Sequence, residues 1–427
     1  MTDSLVPRTS PGHVAQGSGF DLDDPLQFVD LDRLDLEFAA LRATPQLVKH
    51  AGSATASDGT TGNEYWSVVR YADIVRVTLD TESFRSAPST NIPDDPPDGS
   101  LINSDGERHL HLRRIVKGLL SSRHLEDRLN PYRVAESLLS QVPVGEPFDF
   151  VAAVAAPFPL LLLCQLAGVP ASEYHLLLTL TNGILGATDP DYGGDRDFAK
   201  ARAGELGSFG WDLVRASSGD EDSLVGALAR ALAAKVLDPD EVRGYFVMFF
   251  TAGNETSRTA LSHAMAAFAA SPHAWDSLLQ SDATGQRAVI EEVLRWASPI
   301  HHQRRTAVRP CQVAGQQIEP GEKVVLWYSS GNRDETFFRR PYRFDVARWP
   351  NQHVAFGAPG GRHHCVGAPL ARLELRAMLR HLSSRFASPR LDSEPVFLAS
   401  NFLRGVKRLD LVLDRKQRRS GRTVHER

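Results

Sequence analysis

The sequence predicts one large, mainly α-helical domain with minor β-structure. Three observations carry that reading. Apolar residues recur at three- and four-residue spacing through most of the stretch from 107 to 295. Strand-like runs are confined to short pieces before residue 70 and after residue 300. No stretch between these elements has the composition of a flexible linker, and no internal repeat is visible. At 427 residues the chain could hold up to three ordinary domains, so the missing linker is what decides for one. The expected division is a disordered segment over 1–20, a domain over 21–414 and a basic tail over 415–427.

In chain order, Leu31 to Leu41 has helical spacing. Two strand-like pieces follow, Gln46 to Lys49 and Glu64 to Val69, split by the turn-rich Gly52 to Gly62. Tyr71 to Leu79 reads as a helix, and the Pro-, Asp- and Ser-rich Pro88 to Ser100 as a long loop of the kind that is often functional. Helical patterns then run over Glu107–Leu119, Tyr132–Leu139, Val151–Leu166, Glu173–Leu185, Ala199–Ala216 and Ser223–Ala234. Pro239–Ala270 is longer still, and Thr284–Arg295 follows it. Strands are expected at Arg304–Val308, Cys311–Val313 and Lys323–Trp327, a last helix over Ala368–Phe386, and short strand pieces within Val396–Leu413.

Composition narrows the function. A hydrophobic share of 42% with 23% charged residues is that of a globular protein, and a net charge of −4 offers no polyelectrolyte argument for nucleic acid. The most apolar stretch, Val151 to Val169, carries Pro157, Pro159 and Gln165, so it reads as a core helix and not a membrane span. Residues 1–20 lack the apolar core of a signal peptide. The three cysteines, Cys164, Cys311 and Cys365, have neither metal-type spacing nor disulfide density, which fits a reducing, cytoplasmic setting.

The most informative stretch is His353-Val-Ala-Phe-Gly-Ala-Pro-Gly-Gly-Arg-His-His-Cys-Val-Gly-Ala-Pro-Leu-Ala-Arg372. A Gly/Pro loop leads to one cysteine, and a helix begins just after it. Glycines let backbone approach a flat ligand. A helix start aims free N–H groups and the positive dipole end at the sulfur, which predicts a thiolate. The plain alternative is a Gly-rich turn around a buried cysteine. The stretch resembles the haem-binding loop of the cytochrome P-450 family, F-G-x-G-x-H-x-C-x-G followed by L-A-R. His363, Cys365, Gly367, Leu370, Ala371 and Arg372 match in place. Phe356-Gly357 lies two residues further upstream than usual, with Ala358-Pro359 inserted. The resemblance implies the cytochrome P-450 fold, haem b held by Cys365, Phe356 shielding the sulfur, and dioxygen as co-substrate; a thiolate ligand favours O–O cleavage.

A second motif, Ala252-Gly-Asn-Glu-Thr-Ser257, lies inside the long helix. Phe249, Ala252, Gly253, Thr256 and Ala260 share one face, and the small residues there leave room for something flat. Close helix packing at Ala252-Gly253 is the alternative. All six positions match the family's [AG]-G-x-[DE]-T-[ST]. By that resemblance Thr256 opens a groove for dioxygen and Glu255 relays protons, the two catalytic residues; Ala252 and Gly253 lie against the cofactor.

Further segments fit the same resemblance. Glu292-Val-Leu-Arg295 and Phe344-Asp-Val-Ala-Arg348 look like a buried structural ion-pair network. His109 and Arg113, spaced after Asp105 on one helical face, together with Arg305 and His363, look like partners for the two haem carboxylates. Glu292-Val-Leu-Arg-Trp-Ala-Ser-Pro, Leu326-Trp-Tyr and Gly331-Asn-Arg-Asp-Glu are similar to actinobacterial hydroxylases of methyl-branched lipids and steroid side chains. The expected substrate is therefore apolar: a terpenoid, steroid or branched lipid. It would lie among Phe246, Phe249, Ile300, His301, Asn401 and Phe402, with His301, His302 and Asn401 as candidate polar contacts. No flavin or iron–sulfur segment is present, so electrons are expected from a separate ferredoxin and ferredoxin reductase. Alternatives are an oxidative coupling or tailoring enzyme, a peroxygenase, and a non-catalytic haem-binding protein.

Overall fold

A computed structural model describes residues 20–52, 64–92, 100–219 and 222–416. The expectations for 1–19, 417–427 and the middle of the Pro88–Ser100 loop lie outside the described residues. In chain order the elements are α1 (Leu31–Ala43), β1 (Val48–His50), β2 (Tyr65–Val68), α2 (Tyr71–Leu79), β3 (Phe84–Arg85), α3 (Gly106–Lys117), α4 (Ser122–Arg128), α5 (Pro131–Leu139) and β4 (Pro147–Asp149). A π-helical turn, Val151–Ala155, leads into α6 (Pro157–Ala167), α7 (Tyr174–Leu185), α8 (Arg196–Ala216), α9 (Leu224–Ala233) and α10 (Pro239–Ala270). Then come α11 (Pro272–Gln280), α12 (Ala283–Ala297), β5 (His302–Ala307), β6 (Cys311–Val313), β7 (Gln316–Ile318), β8 (Lys323–Trp327), the single turn α13 (Tyr328–Gly331) and α14 (Ala368–Arg385). β9 (Arg390–Leu391), β10 (Val396–Phe397), β11 (Val406–Arg408) and β12 (Asp410–Val412) close the chain. The fold is mainly helical with small sheets.

The axis of the molecule is α10. Asp238 starts it: its carboxylate accepts from the Asp240 and Glu241 amides, and Glu241 reaches back to the Asp238 N–H. This reciprocal cap and Pro239 in the first turn fix where 32 residues of helix begin. At 1.5 Å per residue the helix is about 48 Å long, and it packs against α6, α7, α8, α12 and α14. Its lower half is buried nearly all round, with Leu261, Met265 and Phe268 inaccessible. Phe268 packs edge-on to Trp275 and Phe344, 5.3 and 5.4 Å away, locking α10 to α11 and to the segment before the cysteine loop.

The larger sheet has the order β1-β2-β8-β5-β3. β2 and β8 run parallel, and the other pairs are antiparallel. This sheet and α2 form a second cluster around Val68, Ile74, Val324 and Leu326. Three local differences from the sequence reading have clear causes. The helix expected over Val151–Leu166 breaks before Pro157, whose nitrogen can donate no backbone hydrogen bond, and a π-turn takes up the slack. α11 is built on the Ser271-Pro272 start signal, which the sequence reading passed over. Cys311–Val313 has a partner, Gln316–Ile318, across a turn in which Ala314 and Gly315 have positive φ. Among the described residues no helix is long and apolar enough to cross a membrane.

Candidate active site

The loop before α14 is built by its own backbone. The Gly357 amide donates to Val354 O at 2.9 Å, Gly361 to Ala358 O at 3.1 Å, and His364 to Gly361 O at 3.0 Å. The Cys365 amide donates to Phe356 O at 2.9 Å, which closes the loop on itself. The inserted pair is thus absorbed in a turn: Ala358 points inward and is fully buried, while Pro359 and Gly360 are exposed. The Phe356 backbone is thereby tied to Cys365, and its ring is half-buried. Its ring lies 4.8 Å beneath the Arg372 guanidinium, and Arg372 is held by a two-pronged bond to Glu291 at 2.7 and 2.8 Å.

Cys365 is surrounded by protein, yet its side chain is accessible. A residue that is densely surrounded and yet accessible is what the wall of a deep cleft presents. Burial raises the thiol's pKa; the Gly367 and Ala368 amides and the charges of Arg113 and Arg372 act the other way without overcoming it. The thiolate expected from the helix start is therefore not the favoured form in the protein alone. Its amides and arginines reduce the cost of a thiolate, and a cation at the sulfur has to supply the remainder.

The opposite wall has the same character. In the middle of α10, where Phe250, Asn254 and Glu255 are buried, Ala252 is exposed and Gly253 and Thr256 are half-buried. Thr256 Oγ1 donates to the Ala252 carbonyl at 2.7 Å, one turn back. A Cβ on Gly253 would come within 2.9 Å of Leu163, so glycine is what lets α6 approach here. Glu255 turns away from this face. Its carboxylate lies 3.2 Å from Arg258 and accepts from Thr259 Oγ1 at 3.3 Å. Burial raises its pKa, against the pull of Arg258 and Thr259. Arg258 in turn donates to Asn182 Oδ1 at 3.0 Å. A narrow crevice lined by Asn182, Tyr192, Arg258, Leu398 and Lys407 ends at Glu255.

The four expected carboxylate partners are brought together. The rings of His109 and His363 are 4.1 Å apart. His363 Nε2 lies 3.3 Å from Asp105 Oδ1, and the same carboxylate accepts from the Ser86 and Ala87 amides. These bonds outweigh burial and hold Asp105 at about 2. Burial, then His363 and Arg113, depress His109 to about 4. Arg113 donates to His364 O at 2.8 Å, and the charge of Arg305 is felt at His363. Four basic side chains with one carboxylate among them, beside an accessible sulfur, suit a flat metal-bearing ligand with anionic edges. The residues present fit a haem.

The expected substrate walls are divided. Ile300 and Phe402 are half-buried, and Ile300 pairs with Leu403 in an isolated bridge. Phe249 is nearly buried, 5.7 Å from Phe250. Phe246 is fully buried between Phe209, Gly210 and Phe250, in the packing of α8 on α10. His301 is buried against Phe28 with Nδ1 on Ser329 Oγ at 3.0 Å. His302 is also buried, with Nδ1 on the Asn401 carbonyl at 2.9 Å, and the Asn401 amide reaches Leu22 O at 3.3 Å. Burial keeps both histidines neutral, His302 at about 4.

Behind the site Glu292 is fully buried and takes five donors: Arg295 Nε and Nη2, Arg348 Nε, Asn351 Nδ2 and the Asp345 amide. The sequence reading missed Glu291, Arg258 and Glu374. A signal for Glu374 existed: it is a carboxylate between Leu373 and Leu375 on a helix whose Leu370, Ala377 and Met378 are core.

Residues 286–409 match the family described as Cytochrome P450. The methyl-branched lipid omega-hydroxylase of Mycobacterium tuberculosis is 33% identical over 364 residues, covering 82% of this chain and 84% of that protein. The linalool 8-monooxygenase of Pseudomonas putida is 36% identical over 371 residues, covering 82% and 90%. Among solved structures, a Mycobacterium marinum cytochrome P450 in complex with pseudoionone superposes with a TM-score of 0.85 at 29% identity, covering 94% of this chain and all of that one.

Proposed function

This chain belongs to the cytochrome P450 family and is a haem monooxygenase of that family, and from that premise we propose that it hydroxylates an apolar molecule of terpenoid, steroid or branched-lipid type with electrons from a separate ferredoxin and its reductase. The catalytic unit is residues 21–414. The observation that carries the site assignment is the accessible sulfur of Cys365 in the protein interior, on a loop matched to the family's. The similarity to a linalool 8-monooxygenase, to a methyl-branched lipid omega-hydroxylase and to a structure in complex with pseudoionone supports the substrate class.

Cys365 would hold the iron, and Phe356 would shield the sulfur on its other side. His109, Arg113, Arg305 and His363 would bind the haem carboxylates, while Ala252, Gly253 and Gly367 allow close approach. When bound, haem b supplies the metal at which dioxygen is reduced and cleaved. The chain has to bring protons there and keep bulk water away. Thr256, whose hydroxyl is already oriented by its bond to the Ala252 carbonyl, holds a proton donor in the groove. Glu255, buried and tied to Arg258, passes protons inward from the crevice it ends. Ile300, Phe402 and Phe249 would contact the substrate, and the half-buried walls exclude water around it.

The direct check is the carbon monoxide difference spectrum of the reduced protein. Cys365→Ala should lose the thiolate band, while Cys164→Ala and Cys311→Ala keep it. Cys164 is raised to about 12 by burial, which makes it an inert core thiol. A histidine-type band in the folded parent would refute the ligand assignment. Product formed with a ferredoxin and reductase, and none with hydrogen peroxide alone, is the result expected for the electron source.

A further inference from the structure

Arg372 stands near the start of α14, the helix that begins just after Cys365. Its guanidinium lies 4.8 Å over the Phe356 ring. Nε and Nη2 donate to the two oxygens of Glu291, on α12, at 2.7 and 2.8 Å. The charge of Arg372 also acts on the Cys365 sulfur. Glu291 takes a third bond from His353, whose Nε2 is 3.1 Å from Oε2. The Ala355 amide donates to His353 Nδ1 at 3.2 Å, so the ring carries its proton on Nε2 and donates it to Glu291. Burial lowers the His353 pKa against the pull of Glu291. This bond therefore adds a donor without adding a charge.

A guanidinium bound by both oxygens of a carboxylate is fixed in orientation as well as held strongly. The side chains of His353 and Glu291 are only 3% and 15% exposed, and Arg372 is 34% exposed, so these charges are screened only in part. Burial raises the Glu291 carboxyl, but the bonds from Arg372 and His353 outweigh it and hold it at about 2. It is ionised throughout the working range. Reduction of the iron that Cys365 would hold takes one electron from the ferredoxin, makes and breaks no bond, and leaves one more negative charge at that centre. A fixed cation nearby stabilises the reduced state, and a carboxylate destabilises it. Arg372 is the member whose charge reaches the sulfur, so the pair as a whole favours the added electron and Glu291 limits how far.

We propose that Arg372 and Glu291 form an opposed pair of charges that sets the reduction potential of the iron held by Cys365, with Arg372 raising it and Glu291 lowering it. Both are positioning residues. Arg372 acts on the centre through its field at Cys365, and Glu291 acts through Arg372, which it orients over Phe356. The proposal rests on the ligand role assigned to Cys365 and adds to it the residues that decide how readily the first electron is accepted.

The test uses the haem-loaded protein without substrate. The carbon monoxide band is recorded first, then the potential by spectroelectrochemical titration, for the parent, Arg372→Gln, Glu291→Gln, the double variant and Arg372→Lys. With the thiolate band intact, Arg372→Gln should lower the ferrous-to-ferric ratio at a fixed potential by on the order of fivefold. Glu291→Gln should raise that ratio several-fold. The double variant should lie between the two, and Arg372→Lys, which keeps the charge, should lie near the parent. A role confined to packing gives both single variants the same sign, because each breaks the same tie. Shifts of one sign, no shift in either, or Arg372→Lys moving as far as Arg372→Gln would overturn the proposal. Should Arg372→Gln not hold haem, Glu291→Gln decides alone, and an unchanged or lowered ratio there counts against it. A parent without the thiolate band would refute the ligand assignment, and this proposal with it; wrong signs with the band intact refute this proposal alone.

Discussion

Arg258 Nη1 stands 3.2 Å from Glu255 Oε2, one turn further along the same helix, and both side chains are almost completely buried. Burial raises the Glu255 pKa and Arg258 lowers it. The pair thus sets how readily Glu255 exchanges a proton with the crevice. Replacing Arg258 with Gln removes the lowering charge. The limb of the pH–turnover profile that reports Glu255 should move to higher pH by on the order of one unit. Arg258→Lys should restore most of it. A limb that stays where it was in Arg258→Gln would show that Glu255 does not titrate in the rate-determining sequence.

Thr256→Ala should leave substrate affinity near the parent value and lower coupling by on the order of tenfold, with the missing electrons recovered as hydrogen peroxide. The hydroxyl's bond is to its own helix at Ala252, so the loss should not destabilise the fold. Oxygen consumption, peroxide and product measured together decide the matter. Full coupling in the variant would remove Thr256 from the proton path.

Glu291 links the cysteine loop to α12. Burial pushes its carboxyl up, but hydrogen bonds from Arg372 and His353 outweigh that and hold it at about 2, against an ordinary 4.5. A carboxyl lowered on folding stabilises the protein above its unfolded value, and the benefit disappears as pH falls from about 4.5 through about 2. Glu291→Gln should cost about 2 kcal/mol near neutral pH, after allowance for partial solvent screening. The difference between variant and parent should shrink as the pH falls. Urea midpoints at a series of pH values would show it, and a difference constant with pH would contradict it.

Glu292 takes five donors in a fully buried site. Removing it strands Arg295, which is itself inaccessible. Glu292→Ala should cost about 3–5 kcal/mol, enough to prevent accumulation of haem-loaded protein. Asn351→Ala removes one donor and should cost about 1 kcal/mol. Equal costs in the two variants would mean that Glu292 is not the hub.

What the sequence made legible follows from how local the signal is. The run around Cys365 and the Ala252–Ser257 turn are contiguous, and each is fixed by backbone close to it: the Cys365 amide on Phe356 O, and Thr256 on Ala252 O. The protonation state of Cys365 was not legible, because burial is a property of the whole fold and here outweighs the local helix start. One expected pocket residue, Phe246, shows a related limit of local pattern. Helical spacing puts Phe246 on the same side as Phe249, but spacing does not say that α8 covers that side with Gly210, which leaves Phe246 in the core. The pairing of Ser257 with Glu374 joins residues 117 apart, and no local pattern announces such a pairing.

The expected walls of the substrate pocket differ in what they can offer a ligand. Ile300 and Phe402 are half-buried, while His301, His302 and Asn401 direct polar groups to Ser329, the Asn401 carbonyl and the Leu22 carbonyl inside the protein. Burial holds both histidines neutral, so neither offers a charge to a ligand. A wall of this kind selects by apolar area, at roughly 25 cal/mol per Å² removed from water. Terpenoids, sterols and branched fatty acids should therefore shift the ferric haem spectrum, and polar aromatics and peptides should not. Ile300→Ala and Phe402→Ala should each weaken the best ligand by about tenfold, as expected when one apolar side chain no longer covers it. Phe246→Ala is the control. It should cost about 3–5 kcal/mol of stability through the cavity it leaves between α8 and α10, and any folded fraction should bind with near-parental affinity. If Phe246→Ala instead weakens binding while Ile300→Ala and Phe402→Ala do not, the substrate lies against α10 on its α8 side, and the wall at Ile300 and Phe402 belongs to the core. If only the polar aromatics and peptides displace the iron-bound water, the apolar substrate class is wrong and a tailoring or coupling reaction takes its place.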